Sequence, residues 1–180
     1  MLAGVPVMAG QQPAATPQPP PPAQPVGQAA PRCADDGEGG ACVWGRVEGF
    51  DGGSVQLRGL KVVLAGITAP SYRDFCGNRN SKEEFDCGRP ARKRMADLVA
   101  KGVACEIVEV SGAQLWGRCR GVDGDLGRLL VQSGVVRAAK DGPYAEAQKQ
   151  AVAAKKGLWA ADTILPKDWE TARRKAEDDE

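Results

Sequence analysis

Residues 47–71 read VEGFDGGSVQLRGLKVVLAGITAPS. Val47 to Phe50 has the character of a strand end. Asp51-Gly52-Gly53 is turn chemistry, because Asp-Gly and Gly-Gly tolerate the backbone angles of tight hairpins. Ser54 to Arg58 makes a second strand with Val55 and Leu57 on one face, and Gly59 turns the chain again. Lys61 to Ile67 is an apolar run dense enough to predict a third strand buried on both faces. Ala69-Pro70 ends it, since a central strand cannot forgo a backbone N–H. No helix separates these strands, which argues against a parallel α/β sheet.

Farther along the chain, Val103 to Val110 and Leu115 to Val122 predict a fourth and a fifth strand, with Ser111-Gly112 in the turn. Cys105 and Cys119 fall about equally far from Gly112. They therefore face each other on neighbouring strands, close enough to bridge. Asp123-Gly124-Asp125 is a turn out of that hairpin; the remaining ligands of a calcium loop do not follow it. Between the two strand groups, Pro90 suits a first helical turn. Ala91, Met95, Leu98 and Val99 recur at helical spacing until Gly102. The other face carries Arg89, Arg92, Lys93 and Arg94, either a solvated face or a patch that contacts phosphate. Leu126, Leu129 and Leu130 mark a second helix ending near Gly134. A third starts at Asp141 and Pro143, with Tyr144, Ala147, Ala151, Ala154 and Leu158 on its apolar face and Gly157 as its stop. Trp159 and Trp169 are expected to pack back on the domain. The pattern predicts a mainly β, α+β domain: a five-stranded OB-type Greek-key barrel with three helices.

The chain has 180 residues and a net charge of +1, so charge alone does not argue for a polyanionic partner. It contains no histidine, which removes imidazole as metal ligand and as general base. Residues 1–31 hold nine of the 13 prolines and no charged side chain, and are read as a disordered spacer, with 41–170 as the domain and 171–180 as a charged tail. Val7-Met8-Ala9 could end a signal peptide, but a basic start is missing and Pro6 interrupts the apolar run. No apolar run reaches transmembrane length. Six cysteines in so short a chain suggest disulfides in an oxidising compartment, against the alternative of reduced cysteines in the cytosol. Cys33 and Cys42 flank an acidic, glycine-rich loop and could pair, although the spacing also suits a metal loop. A Cys76–Cys87 bond would staple the polar stretch Tyr72 to Asp86, read as a surface loop, and would contribute about 3 kcal/mol by chain entropy.

The strand-Asp-Gly-x-Ser-strand opening with LAGITAP resembles the staphylococcal-nuclease-like (thermonuclease) domain. Trp116-Gly117-Arg118 and Gly157-Leu158-Trp159 resemble two later segments of that family, in the same order. The resemblance covers about residues 41 to 170 and implies the same OB-type barrel. The positions of Cys76 and Cys87 resemble those of exported bacterial members.

Active members of that family cut DNA and RNA with calcium, which needs about six to eight oxygen ligands. Carried onto this chain, the resemblance sets Asp51 beside the metal rather than on it. Gly53 stands at the first metal aspartate, Thr68 at the second, Ser71 at the catalytic glutamate and Val63 at one of the two arginines. Arg118 alone among the main catalytic groups is retained, with a structural use in pairing Asp51 or capping nearby loops. No carboxylate lies between Gly52 and Ser71. Lys61, two residues before Val63, shares its strand face and could join Arg118 in contacting phosphate. Glu48 and Asp74 are the nearest spare carboxylates.

The expectation is therefore a domain without nuclease chemistry and without a cofactor. It would be a periplasmic or secreted monomer that binds nucleic acid or a protein of the cell envelope. The alternative is a calcium-dependent phosphodiesterase with a relocated site. A third reading makes the proline-rich head a spacer that carries the role.

Overall fold

The computed structural model describes residues 31, 33, 40–81 and 83–166. Most of the proline-rich segment, Trp169 and the charged tail lie outside the described residues.

The chain opens with β1 (Cys42–Gly45), β2 (Gly49–Asp51), β3 (Ser54–Leu57) and β4 (Leu60–Leu64). The short β5 (Ile67–Thr68) follows, then β6 (Phe75–Asn78), β7 (Glu84–Asp86) and helix α1 (Gly88–Val99). β8 (Val103–Ser111) and β9 (Gln114–Gly121) form the long hairpin. The short β10 (Gly124–Asp125) leads into α2 (Leu126–Gln132). β11 (Arg137–Ala138), α3 (Ala145–Ala153), a 3-10 turn at Gly157–Trp159 and β12 (Thr163–Ile164) complete the described chain. The fold is a mixed α+β structure, mainly strands, with three helices among the described residues.

One seven-stranded sheet runs in the order β1-β8-β9-β4-β3-β2, with β10 paired to β9, and it curls into a half-barrel. β4 and β9 are parallel, Val63 opposite Trp116, while the other ladders are antiparallel. The two ends of this path, β1 and β2, are consecutive in the chain and separated by residues 46–48. That break divides the expected first strand in two and, with the short β5, β6, β7, β10, β11 and β12, brings the described strands to twelve against the five read from the sequence.

The concave side holds the core. Val55, Leu57, Val62, Leu64 and Val103 from the sheet pack against Ala91, Met95 and Leu98 of α1 and Leu126, Leu130 and Val131 of α2. Burying an aliphatic side chain of this size contributes roughly 1.5–3 kcal/mol. The Lys61–Ile67 run is not buried on both faces. Val62 and Leu64 face the core, whereas Lys61 is exposed and Val63 half-buried on the convex side. Its apolar density reflects one covered face plus a partly covered Val63 beside Trp116.

Two further departures have clear causes. The polar stretch after Tyr72 contains the β6–β7 hairpin, and β12 pairs with β6 to make a separate three-stranded sheet. These strands are short, and their third member comes from far along the chain. α3 stops at Ala153, and Lys155 takes the left-handed conformation, φ 49°. Gly157, expected as the helix stop, instead permits a close approach. At φ 51° its amide region meets Gly134, where an added Cβ would lie 2.4 Å from the Gly134 carbonyl oxygen.

All six cysteines are paired, as Cys33–Cys42, Cys76–Cys87 and Cys105–Cys119. Cys105 and Cys119 are directly opposed in the β8–β9 ladder and buried in the main core. Cys76 and Cys87 sit in a second apolar cluster with Leu158 and Leu165. Three intrachain disulfides suit an oxidising, extracytoplasmic compartment. Among the described residues no helix is long and apolar enough to cross a membrane.

Candidate functional site

Two of the segments that the sequence singled out, the β2–β3 turn and the Ala69-Pro70 stretch, lie against each other. Asp51 pairs with Ser54 across that turn, and its Oδ1 accepts a hydrogen bond from the Gly52 amide at 2.8 Å. The Gly53 carbonyl accepts from the Leu64 amide at 2.9 Å. Ala69 and Pro70 lie against the turn so closely that a Cβ at Gly53 would stand 2.8 Å from the Ala69 Cβ. Gly53 thus has no room for the carboxylate that the family resemblance implies there, unless Ala69 moves.

The other positions carry neutral oxygens or none. Thr68 is exposed and paired in register with Arg137. Ser71 is exposed, and its amide donates to Asp74 Oδ2 at 2.7 Å. That bond places Asp74 in a local turn. Glu48 Oε2 accepts from the Gly59 amide at 2.9 Å, which occupies the second spare carboxylate at a different turn. Val63 is half-buried beside Ser54 and Trp116. Lys61 is exposed two residues earlier on the same face.

Arg118 does not take Asp51 as its partner. Its Nε lies 3.7 Å from Glu106 Oε2, directly across the β8–β9 ladder. Arg118 also acts electrostatically on Tyr144. The Tyr144 hydroxyl donates to Asp125 Oδ2 at 3.2 Å, and Asp125 Oδ1 caps α2 through the Arg128 amide at 2.7 Å. Burial, then the Asp125 charge and hydrogen bond, raise the Tyr144 phenol well above the ordinary tyrosine range, and Arg118 opposes that rise.

This donor set does not fit calcium. The ion requires carboxylate charge and about six to eight oxygens, and Asp51 is the one carboxylate at the turn. Among the described residues no three His, Cys, Asp or Glu side chains gather where a metal could be held.

A different feature lies beside α1, where a groove of about 580 Å³ is lined by Tyr72, Asp86, Arg89, Pro90, Arg92, Lys93 and Ala96. The cations of α1 were visible in the sequence, but their surroundings were not. The Arg92 guanidinium carbon sits 4.7 Å from the Phe50 ring centroid and 4.9 Å from that of Tyr72. These rings come from β2 and from the segment after β5, so only the tertiary fold brings them to Arg92. Arg94, grouped with the same cations in the sequence, does not line the groove, and its Nε is buried without a hydrogen-bond partner among the described residues.

In comparisons with known proteins, no family model and no curated protein matches the chain.

Proposed function

We propose that the chain is a staphylococcal-nuclease-like domain of OB type that acts as a binding module rather than as a nuclease. Its working place would be the periplasm or the extracellular medium, and its partner a nucleic acid or a protein of the cell envelope. The strand order supports the fold reading. If β1 and β2 are taken as two halves of one strand, the path has five strands beside the short β10, and it returns to the strand from which it starts, as in an OB barrel.

The observation that carries the loss of chemistry is the seat of Gly53 against Ala69. Asp51 turns back on its own loop, and the positions around it offer hydroxyls where a metal needs charge. Losing a general base costs about 10²–10⁴-fold, and losing one preorganised charge stabiliser about 10²–10³-fold. A salt-bridged, solvent-exposed Arg118 cannot supply those terms alone.

The test is a cleavage assay. The oxidised protein is incubated with single-stranded DNA and with RNA, in calcium and in chelator, beside Arg118→Ala, with circular dichroism confirming the fold of each. The expected result is no cleavage in any lane. Calcium-dependent cleavage that disappears in Arg118→Ala would overturn the reading and establish a relocated nuclease site.

A further inference from the structure

We propose that the groove beside α1 is a docking site for an acidic peptide segment, whose carboxylates are taken up by Arg92 and Lys93. The proposal rests on the reading of the domain as a binding module and gives that module a partner class.

Arg92 is prepared for such a role. It is half-buried, with aromatic rings from Phe50 and Tyr72 over its guanidinium. Each ring contact of this kind contributes about 0.5–1 kcal/mol at an exposed site. The ring contacts engage the guanidinium without using its N–H donors, none of which is in an ion pair among the described residues. The fork that pairs with a carboxylate therefore remains usable. Because the side chain is already held, less rotamer freedom is lost on binding. Arg92 makes no ion pair among the described residues, and neither does the exposed Lys93.

Arg89 and Asp86 are differently disposed. Arg89 Nε lies 2.6 Å from Asp86 Oδ2, and Asp86 Oδ1 accepts from the Arg89 amide at 3.0 Å. Asp86 is thus committed to Arg89 and to the first turn of α1. With that pair closed, the groove keeps the charges of Arg92 and Lys93 uncompensated.

The shape narrows the ligand. Tyr72, Pro90 and Ala96 supply apolar wall, and Tyr72 is 43% exposed. An open trough with an apolar floor and adjacent cations suits an extended peptide that carries carboxylates next to an apolar side chain. A nucleic-acid strand fits less well. Its charge is continuous along the strand, whereas the groove sets two uncompensated cations beside the apolar wall of Tyr72, Pro90 and Ala96.

The experiment uses the oxidised 180-residue chain in chelator and fluorescence anisotropy. The probes are a labelled peptide of alternating Glu and Leu, the same peptide with Gln for Glu, and labelled oligodeoxythymidine. The acidic peptide is expected to bind roughly tenfold tighter than the neutral one, with affinity falling as salt rises. Arg92→Gln and Lys93→Gln should each weaken it by roughly three- to tenfold, and Arg92→Lys by less than Arg92→Gln. Arg46→Gln, an exposed cation on the β1–β2 connection, should leave it unchanged. Lys93 makes no ring contact among the described residues, so its variant tests the groove even if Arg92→Gln unfolds.

No preference for the acidic peptide, or an equal loss in Arg46→Gln, would overturn the proposal. So would tighter binding of oligodeoxythymidine through the same two residues, which would assign the groove to nucleic acid. Loss of peptide binding in Arg118→Ala with Arg92→Gln unaffected would also overturn it, while leaving the binding-module reading intact. The cleavage assay decides that broader reading separately.

Discussion

Arg118 and Glu106 face each other across the β8–β9 ladder, Nε to Oε2 3.7 Å, with more than half of each side chain in solvent. An exposed pair of this length contributes little, about 0–1 kcal/mol. Arg118→Ala and Glu106→Gln should each shift the urea midpoint by an amount equivalent to less than about 1 kcal/mol. A loss several times larger in Arg118→Ala alone would mean that Arg118 organises more of the fold than its pairing with Glu106.

Gly53 is the position where a restored carboxylate should cost stability. Its Cβ would stand 2.8 Å from the Ala69 Cβ, a contact that forces backbone or side chain to shift. Gly53→Asp should destabilise by roughly 1–3 kcal/mol, the usual range for overpacking. Adding Ala69→Gly should return part of that loss, because the two atoms in conflict are then one. Strictly additive effects in that double-mutant cycle would show that the contact is not the cause.

Tyr144 gives the protein an alkaline dependence. Its phenol binds a proton more tightly folded than unfolded, because of burial, the Asp125 charge and the Asp125 hydrogen bond, in that order. The resulting stabilisation is complete below the unfolded tyrosine pKa of about 10 and is lost as pH rises beyond it. Unfolding free energy should therefore fall above about pH 10, and the fall should be shallower in Tyr144→Phe. Identical slopes in the two proteins would sink the assignment. At neutral pH the Phe variant should lose about 1 kcal/mol with its hydrogen bond.

The three disulfides should differ in resistance to reductant. Cys42 is exposed, whereas Cys76, Cys87, Cys105 and Cys119 are buried. Exchange needs access to a sulfur, so limited dithiothreitol should open Cys33–Cys42 first, with the other two following only as the fold opens. Alkylation followed by peptide mass mapping reads that order. Replacing Cys105 and Cys119 together by Ala should cost about 3 kcal/mol for a loop of this size.

Local patterns in the sequence located what local forces determine. The Asp51-Gly52-Gly53 turn, the inward Val55 and Leu57, and the Ala91–Met95–Leu98–Val99 stripe follow from turn chemistry and periodicity, and the structure has them. The facing of Cys105 and Cys119 followed from counting residues about Gly112. Misreadings arose where distant segments decide. β6 and β7 read as loop in the sequence because their third strand, β12, lies far along the chain. Gly157 reads as a helix stop, although its conformation answers to Gly134. At the candidate site, the crowding of Gly53 by Ala69 and the rings around Arg92 are tertiary facts with no periodic signature. Arg118's neighbour was one register count away, since Glu106 and Arg118 straddle the same hairpin as Cys105 and Cys119.

The cysteines pair strictly in the order they occur, each with the next, at separations of 9, 11 and 14 residues. No bond encloses another, and no bond waits for a residue from a later pair. A chain entering an oxidising compartment from its N-terminus would therefore always meet the correct partner before any competitor. Such an arrangement can be oxidised as it is delivered, segment by segment, without reshuffling. Refolding from the reduced state, where all six thiols compete at once, should yield native pairing more slowly than that one-way delivery, and an isomerase should accelerate only the former.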